Sequence, residues 1–406
     1  MPGTRLALRA DEIGRYCAIA LGFSIPISVA LDNVLLAAVL GCWLVGGAYR
    51  EKTAWARDNP VCIAALLLLA VLALGALYGN HPRTEAASYL EKYLDLLFIP
   101  IFAWWFRDPA MRRNGLFALA GALVLTLVLS LCLNFGIIPA GVFGAGDAAS
   151  PTVFKLRLTH NILMALGAFL FAWLAATAGT RHMKAAWGAL AVLATLNVTM
   201  MVPGATGYLV LIGLALLFGY GIGRWRGFGI ALVAVAATAA MLTYVPGPFR
   251  ERAGMVEREF RGWQATEAQS TSSGLRLEFY HNTLRIIRDH PVIGVGTGGF
   301  PQAYARVVEG TTMAPTRNPH NEFLHLAAQV GPTGVAALLW LLMQQWRLSA
   351  HLVPPEKDFA RALVVLMAIG CMLNSLLLDH TEGLLYAWLT GLLYAGVKSK
   401  AANGER

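Results

Sequence analysis

Charged residues are scarce in this sequence. They make up 14% of its 406 residues, whereas 57% of the residues are hydrophobic and the mean hydropathy is +0.57. An average soluble domain carries about 25% charged residues, so this composition indicates an integral membrane protein. The alternating ten-residue segments of a membrane β-barrel are missing as well. The apolar runs are instead about 15–24 residues long, which suits helices that cross roughly 30 Å of hydrocarbon.

Motifs for metals and nucleotides are missing too. The sequence contains no Asp-x-Asp pair and no His-Glu-x-x-His, and His320 and His325 are five residues apart rather than four. The five cysteines all fall in apolar runs without metal-ligand spacing. The glycine run at 294–299 lacks the preceding strand that a dinucleotide loop requires, so a tight loop that approaches a helix or a ligand is the better interpretation. We therefore predict neither a metal nor a cofactor.

The apolar runs predict an all-α polytopic membrane protein with about twelve transmembrane helices. The predicted spans cover residues 13–31, 33–49, 60–78, 91–106, 114–137, 158–178, 184–202, 206–222, 227–245, 324–346, 360–377 and 383–397. Three regions follow from this division. Residues 1–245 hold spans one to nine, residues 246–323 form one large polar loop with helices, and residues 324–406 hold the last three spans and a tail.

The distribution of basic residues predicts the orientation of the chain. The amino terminus and every second loop after it carry 19 of the 32 Lys and Arg residues, whereas the opposite short loops carry four. The positive-inside rule therefore places both termini in the cytoplasm. Because the basic residues lie between apolar runs, the net charge of +9 reflects topology rather than nucleic-acid binding.

The large loop differs from the short ones in its basic residues. It holds the remaining nine, and all nine are Arg, the side chain best suited to bidentate phosphate recognition. Eight acidic residues accompany them, so surface ion pairs are also expected. Residues Phe249–Trp263 and Leu275–Asp289 have the spacing of helices, and the second is stopped by His290-Pro291.

Several polar groups on the outer side are candidates for chemistry. His320 suits general-base catalysis near neutral pH, although a loop histidine is often only a surface residue. Arg276 is placed either to bind a phosphate or to pair with an acid such as Glu278. Lys155 and Arg157 either bind an anion or extend to the membrane interface. The 379–382 stretch is either a solvated turn or an element that orients another site residue.

The spacing around His320 resembles that of bacterial O-antigen ligases. His320 and Asn321 are followed after nine residues by Gly331 and after two more by Gly334, as in the signature of that family. The stretch 290–296 after the predicted Arg276 helix looks like the Pro…Gly-x-Gly core of the wider superfamily. That superfamily includes O-antigen polymerases and protein O-oligosaccharyltransferases.

The resemblance implies roles for individual residues. His320 corresponds to the essential histidine of the family, a candidate base for the acceptor hydroxyl, and Arg276 to the loop arginine that binds the diphosphate. Further diphosphate contacts are predicted for Arg157, Lys155, Arg285, Arg288 and Asn321. Several relatives carry another arginine near the start of a later span, but residues 203–207 of this chain contain none, and Arg157 or Lys155 is a candidate replacement.

The resemblance also implies an activity and its substrates. Such enzymes move a polysaccharide from undecaprenyl diphosphate to lipid A–core at the periplasmic face of the bacterial inner membrane, without nucleotide or metal. They resemble inverting GT-C-type glycosyltransferases, and the expected partners are these two substrates and membrane lipids, with the chain a monomer. A polymerase or a protein-directed transferase of the superfamily is the alternative. A transporter is disfavoured because, apart from Asp95, the predicted span interiors are almost free of charge.

Overall fold

The structure is a computed structural model that describes residues 5–144, 146–202, 204–244, 250, 254 and 272–397, and these contain helices but no strand. The first part of the chain forms nine helices: α1 (Arg5–Ser24), α2 (Val29–Val45), α3 (Tyr49–Arg57), α4 (Pro60–Gly75), α5 (Arg83–Tyr93), α6 (Asp95–Trp105), α7 (Pro109–Asn134), α8 (Arg157–Thr177) and α9 (Arg181–Leu196). A π-helical turn, Asn197–Met201, extends α9.

The second part of the chain forms seven more described helices. They are α10 (Ala205–Tyr244), α11 (Ser272–Asp289), α12 (Phe300–Val308), α13 (Glu322–Val330), α14 (Pro332–Ser349), α15 (Glu356–Leu373) and α16 (His380–Tyr394). A short 3₁₀ turn, Leu376–Leu378, connects α15 to α16. The predicted loop helix Leu275–Asp289 is confirmed as α11, whereas the predicted helix Phe249–Trp263 lies outside the described residues apart from Arg250 and Gly254.

Local sequence signals explain where several of these helices begin. Asn59 and Asp108 each accept hydrogen bonds from the first backbone amides of the next helix, and a proline follows each of them. A proline at the first helical position loses no hydrogen bond, because the amide there has no partner within the helix. Thr180 and Asn321 cap α9 and α13 in the same way.

Within the described ranges, four helices are long and apolar enough to cross a membrane. They are Pro109–Asn134, Arg157–Thr177, Arg181–Met201 and Ala205–Tyr244, and the pair α2 and α3, bent by 114°, is a fifth candidate. The four helices carry predicted spans five to nine. The protein is therefore an all-helical membrane protein, and the total of twelve spans stays a prediction.

Two predicted spans are interrupted. The span predicted over 91–106 is divided at Leu94, where α5 ends and α6 begins. The span predicted over 324–346 is divided at Gly331, whose φ of 68° is outside the range of a right-handed helix and which precedes Pro332. Hydropathy could not reveal the break at Gly331, because apolar residues continue on both sides of it, whereas Glu91, Lys92 and Asp95 make the sequence around Leu94 polar.

Helix α10 contains a reversal at Arg224, where φ is 54° and ψ is −137°. Gly219 and Gly227 lie against each other across this point, so closely that a Cβ on Gly227 would be 2.0 Å from the Gly219 carbonyl oxygen. The two halves of α10 thus form a helical hairpin, and its turn lies between the predicted spans 206–222 and 227–245.

Helix α16 lies at the centre of the bundle. Every residue from Thr381 to Tyr394 is buried. Its Trp388 indole N–H donates to the carbonyl of Ala18 in α1 at 2.7 Å, and its Tyr386 hydroxyl donates to Gln345 Oε1 in α14 at 2.9 Å. The start of α16 is therefore fixed relative to the surrounding helices, and the candidate site is built beside that start.

Candidate functional site

The backbone of His320 adopts a left-handed conformation, with φ of 55°. For a residue with a side chain this conformation costs roughly 1–2 kcal/mol, so other contacts must hold it. Asn318 Oδ1 accepts from the His320 amide and from the Ser375 hydroxyl, both at 2.8 Å. The Tyr280 hydroxyl donates to the His320 carbonyl at 3.1 Å. Three separate segments of the chain thus fix the histidine.

The His320 side chain is half-buried and has partners on two sides. Its ring stacks on that of Phe279 in α11, with centroids 5.9 Å apart and an interplanar angle of 27°. Its Nδ1 lies 2.8 Å from Asn374 Oδ1, and Asn374 Nδ2 donates to Asp379 Oδ2 at 3.4 Å. Because the amide nitrogen of Asn374 faces a carboxylate, its oxygen faces the imidazole and accepts from Nδ1–H. This arrangement leaves Nε2 as the ring nitrogen that accepts a proton.

Asp379 completes this chain of contacts at the start of α16. Burial raises the pKa of its carboxyl above the ordinary value of 3.8, while the charges of Lys92 and His320 oppose the shift. The geometry is a His–Asn–Asp series in which a carboxylate orients an amide and the amide orients an imidazole. Such an arrangement fixes the tautomer and direction of a general base.

Helix α11 brings Arg276 to the same place. Arg276 and Tyr280 are four residues apart and therefore share one face of the helix. Burial raises the pKa of Tyr280, and the positive charge of Arg276 opposes that shift. Since Tyr280 also contacts His320, Arg276 and His320 border one site.

Asn321 and Glu322 follow His320 but use their polar atoms within the fold. Asn321 Oδ1 caps α13 by accepting from Leu324 N at 3.0 Å, and its Nδ2 donates to the Met372 carbonyl at 2.9 Å. Glu322 is fully buried and accepts from the Tyr93 hydroxyl at 2.8 Å and from Leu377 N at 3.1 Å. Both side chains therefore position the loop, and a diphosphate contact by Asn321 stays a prediction.

Lys155 lies on the far side of the α16 start. Its Nζ donates to Thr381 Oγ1 at 3.0 Å, two residues from Asp379. Burial lowers the pKa of Lys155, and the nearby carboxylates of Asp32 and Glu382 oppose that shift. Lys155 thus contacts the first turn of α16, which begins directly after Asp379, whereas the neighbouring Arg157 is exposed.

Arg285 and Arg288 lie away from His320. Both are exposed, and Arg288 contacts Asp289 at 3.6 Å. They follow Arg276 by nine and twelve residues on α11, which corresponds to about 14 and 18 Å along a helix that rises roughly 1.5 Å per residue. The seven predicted site residues are therefore divided: Arg276, His320 and Asn321 are brought together, Lys155 contacts the start of α16, Arg157 is exposed beside Lys155, and Arg285 and Arg288 are distant. Their roles in binding a diphosphate stay predictions.

Sequence reasoning missed Asn374, Tyr280 and Phe279. Asn374 was included in the predicted span 360–377, but α15 ends at Leu373 and Asn374 is its C-cap, in extended conformation. A polar Asn-Ser pair within an apolar run was the available signal. Tyr280 and Phe279 carry no motif, and only the packing of α11 against the His320 loop reveals them.

The glycine run at 294–299 approaches helices rather than a nucleotide. The amides of Val295 and Gly296 donate to the carbonyls of Ala328 and Gln329 at 2.9 and 2.8 Å, and Thr297 N donates to the Gly75 carbonyl at 2.9 Å. The loop thereby attaches α12 to α4 and α13. In the described part of the chain, no group of three or more His, Cys, Asp or Glu side chains has an arrangement that would hold a metal ion.

Comparison with known proteins identifies the domain that carries this site. Residues 189–339 match the family model described as O-antigen ligase. These residues therefore form a domain of the O-antigen ligase/polymerase superfamily. The superfamily domain runs from within α9 to within α14 and includes both Arg276 and His320, whereas Asn374 and Asp379 lie beyond it.

Two individual proteins are similar to this chain. An uncharacterized protein of Haemophilus influenzae is 22% identical over 261 residues, which are 61% of this chain and 62% of the relative. The similarity thus spans about three fifths of the relative's length. A chain from the solved structure of a peptidoglycan synthase complex that coordinates polymerization and crosslinking is 18% identical. That match covers 83% of this chain and 96% of the solved chain, with a TM-score of 0.46.

Proposed function

We propose that this protein is an O-antigen ligase, a metal-independent inverting glycosyltransferase that moves a polysaccharide from undecaprenyl diphosphate to lipid A–core. The observation that carries the proposal is the His320 ring, oriented by Asn374 and Asp379 and bordered by Arg276, inside a superfamily domain of a membrane protein. In this proposal the site faces the periplasm of a bacterial inner membrane, and both termini are cytoplasmic.

The proposed step is a single displacement. The acceptor hydroxyl attacks the anomeric carbon of the donor, and the bond from that carbon to the diphosphate oxygen breaks. His320 Nε2 takes the hydroxyl proton, and the electron pair of the broken bond stays on the diphosphate. Arg276 stabilises the negative charge that develops on this leaving group, as a fixed cation does best in a site shielded from water.

Reconstitution in proteoliposomes tests the proposal. Purified protein is supplied with lipid-linked glycan and lipid A–core, with divalent ions chelated, and the product is separated by gel electrophoresis. We expect transfer by the wild type, a loss of about 10²–10⁴-fold for His320→Ala, and weaker binding of the lipid diphosphate for Arg276→Ala. A full product ladder from His320→Ala would contradict the role of the histidine.

The alternative within the superfamily is distinguished by the acceptor. A polymerase extends the glycan on its lipid carrier, and a protein-directed transferase modifies Ser or Thr. The same vesicles are therefore supplied in parallel with lipid A–core, with donor alone, and with an acceptor protein. If product forms only with donor alone, the protein is a polymerase, and if it forms only on the acceptor protein, the protein is a protein-directed transferase. Either result would contradict the proposed ligase function.

A further inference from the structure

A cavity lies away from His320, where the ends of α4 and α11 meet α12. Its volume is about 370 Å³, which is within the range of small-molecule sites. Polar lining is provided by Tyr78, Asn80, Asp289, His290, Gln302 and Arg306. Phe279 of α11 stacks on His320, and Asp289 lies ten residues further along the same helix. At roughly 1.5 Å per residue, the cavity is about 15 Å along α11 from the ring that contacts His320.

The walls of this cavity are held in place by hydrogen bonds between neighbouring segments. The Tyr78 hydroxyl donates to the Ile293 carbonyl at 2.6 Å, and the Val295 amide donates to Ala328 at 2.9 Å. Gly294 has a φ of 67°, and a Cβ there would lie 2.5 Å from the backbone of Ala328 and Gln329. Because its frame is attached to both α4 and α13, the cavity is preformed, as binding sites for small ligands usually are.

The polar groups of the cavity suit a neutral ligand rich in hydroxyl groups. Asp289 and Arg306 carry opposite charges, and Asn80 and Gln302 supply amide groups that both donate and accept. Gln302 Oε1 is buried and has no hydrogen-bond partner among the residues described, which is unfavourable unless a ligand or water donates to it. A free phosphate would face the carboxylate of Asp289, whereas the hydroxyl groups of a sugar satisfy all of these side chains.

We infer that this cavity binds a sugar unit of one of the two glycan substrates, at a position distant from the bond that is transferred. This inference depends on the proposed function, because the proposed function specifies which two glycans are the substrates. Binding energy gained at such a remote position holds an extended substrate in place while its reacting end reaches His320. The bound unit is a pyranose sugar in either case, and it belongs either to the lipid-linked donor or to the lipid A–core acceptor.

Direct binding of lipid-free glycans tests the inference independently of catalysis. The probes are the core oligosaccharide released from lipid A and the O-glycan released from its carrier, each titrated calorimetrically into the full-length protein in detergent. We expect the wild type to bind one probe, and the identity of that probe gives the source. Gln302→Leu and Arg306→Gln should each weaken its binding by about tenfold, which is about 1.4 kcal/mol.

Two controls separate the cavity from the proposed chemistry. Glu309→Gln changes an exposed charge three residues from Arg306, outside the cavity lining, and should bind as the wild type does. His320→Ala should also bind normally, so a failure of glycosyl transfer does not affect this result. If Gln302→Leu fails to fold, the exposed Arg306→Gln decides the matter. Absence of binding to both probes, or undiminished binding by Arg306→Gln, would overturn the inference.

Discussion

The contact between Asn374 and His320 gives the sharpest prediction. Asn374→Leu keeps the approximate size of the side chain but removes the oxygen that accepts from His320 Nδ1–H at 2.8 Å. One neutral hydrogen bond contributes about 1 kcal/mol, which alone would lower kcat by about fivefold. Complete loss of a general base lowers it by about 10²–10⁴-fold. Since the variant loses both the bond and the fixed tautomer, we expect kcat to fall by roughly 10- to 100-fold, between these limits.

The assay is the proteoliposome transfer reaction, with kcat and KM measured for both substrates. Because Asn374 orients the base rather than a substrate, both KM values should stay within about twofold of the wild type. Asn282→Leu is the matched control, because it also removes a buried amide, one that donates to the Tyr304 hydroxyl at 3.3 Å. The double variant Asn374→Leu/His320→Ala should be no slower than His320→Ala alone. Wild-type kcat in Asn374→Leu, or additive losses in the double variant, would refute the orienting role.

Three further outcomes are expected. Gly294→Ala places a Cβ 2.5 Å from the backbone of α13 at a residue whose φ is 67°. The melting temperature of this variant should therefore fall further than that of Gly310→Ala, where φ is 76° and no atom lies within 4 Å of the added Cβ. Equal decreases in the two variants would contradict the close approach of Gly294 to α13. The raised pKa of Asp379 means that the folded protein binds the proton of this carboxyl more tightly than the unfolded chain does, where the pKa is 3.8. The protonated carboxyl therefore contributes fully to stability below pH 3.8, and this contribution is lost as the pH rises through the pKa of the folded state. Asp379→Asn should therefore unfold at a temperature at least as high as the wild type at pH 7 while transferring glycan more slowly, and a lower melting temperature would contradict this. Chelation of divalent ions with EDTA should leave the rate of transfer unchanged, whereas a loss restored by Mg²⁺ would show that a metal takes part.

Much of the local structure could be predicted from the sequence, because its signals are local. Helix α11 was predicted from its spacing and from the His290-Pro291 stop, and it ends at Asp289 as expected. The motif around His320 directed attention to a site that α11 borders. Capping residues and prolines act on adjacent amides, so their effect does not depend on the rest of the fold.

The arrangement of the site depends on contacts that are distant in sequence. His320 and Asn374 are 54 residues apart, and Tyr280 and His320 are 40 residues apart. Periodicity predicts which face of a helix is apolar but not which loop packs against its end. For the same reason, the sequence could not exclude Arg285 and Arg288 from the predicted diphosphate site, although α11 separates Arg276 from both of them by more than two turns.

The left-handed backbone of His320 has a consequence for substitutions at this position. Glycine adopts that conformation without steric cost and asparagine does so readily, so either residue at position 320 would relieve the backbone strain. Either substitution would also remove the ring that stacks on Phe279 and would leave Oδ1 of the buried Asn374 without this partner. The strained backbone and the contacts that orient the imidazole are therefore inseparable, because a substitution that relieves the strain also removes the proposed base.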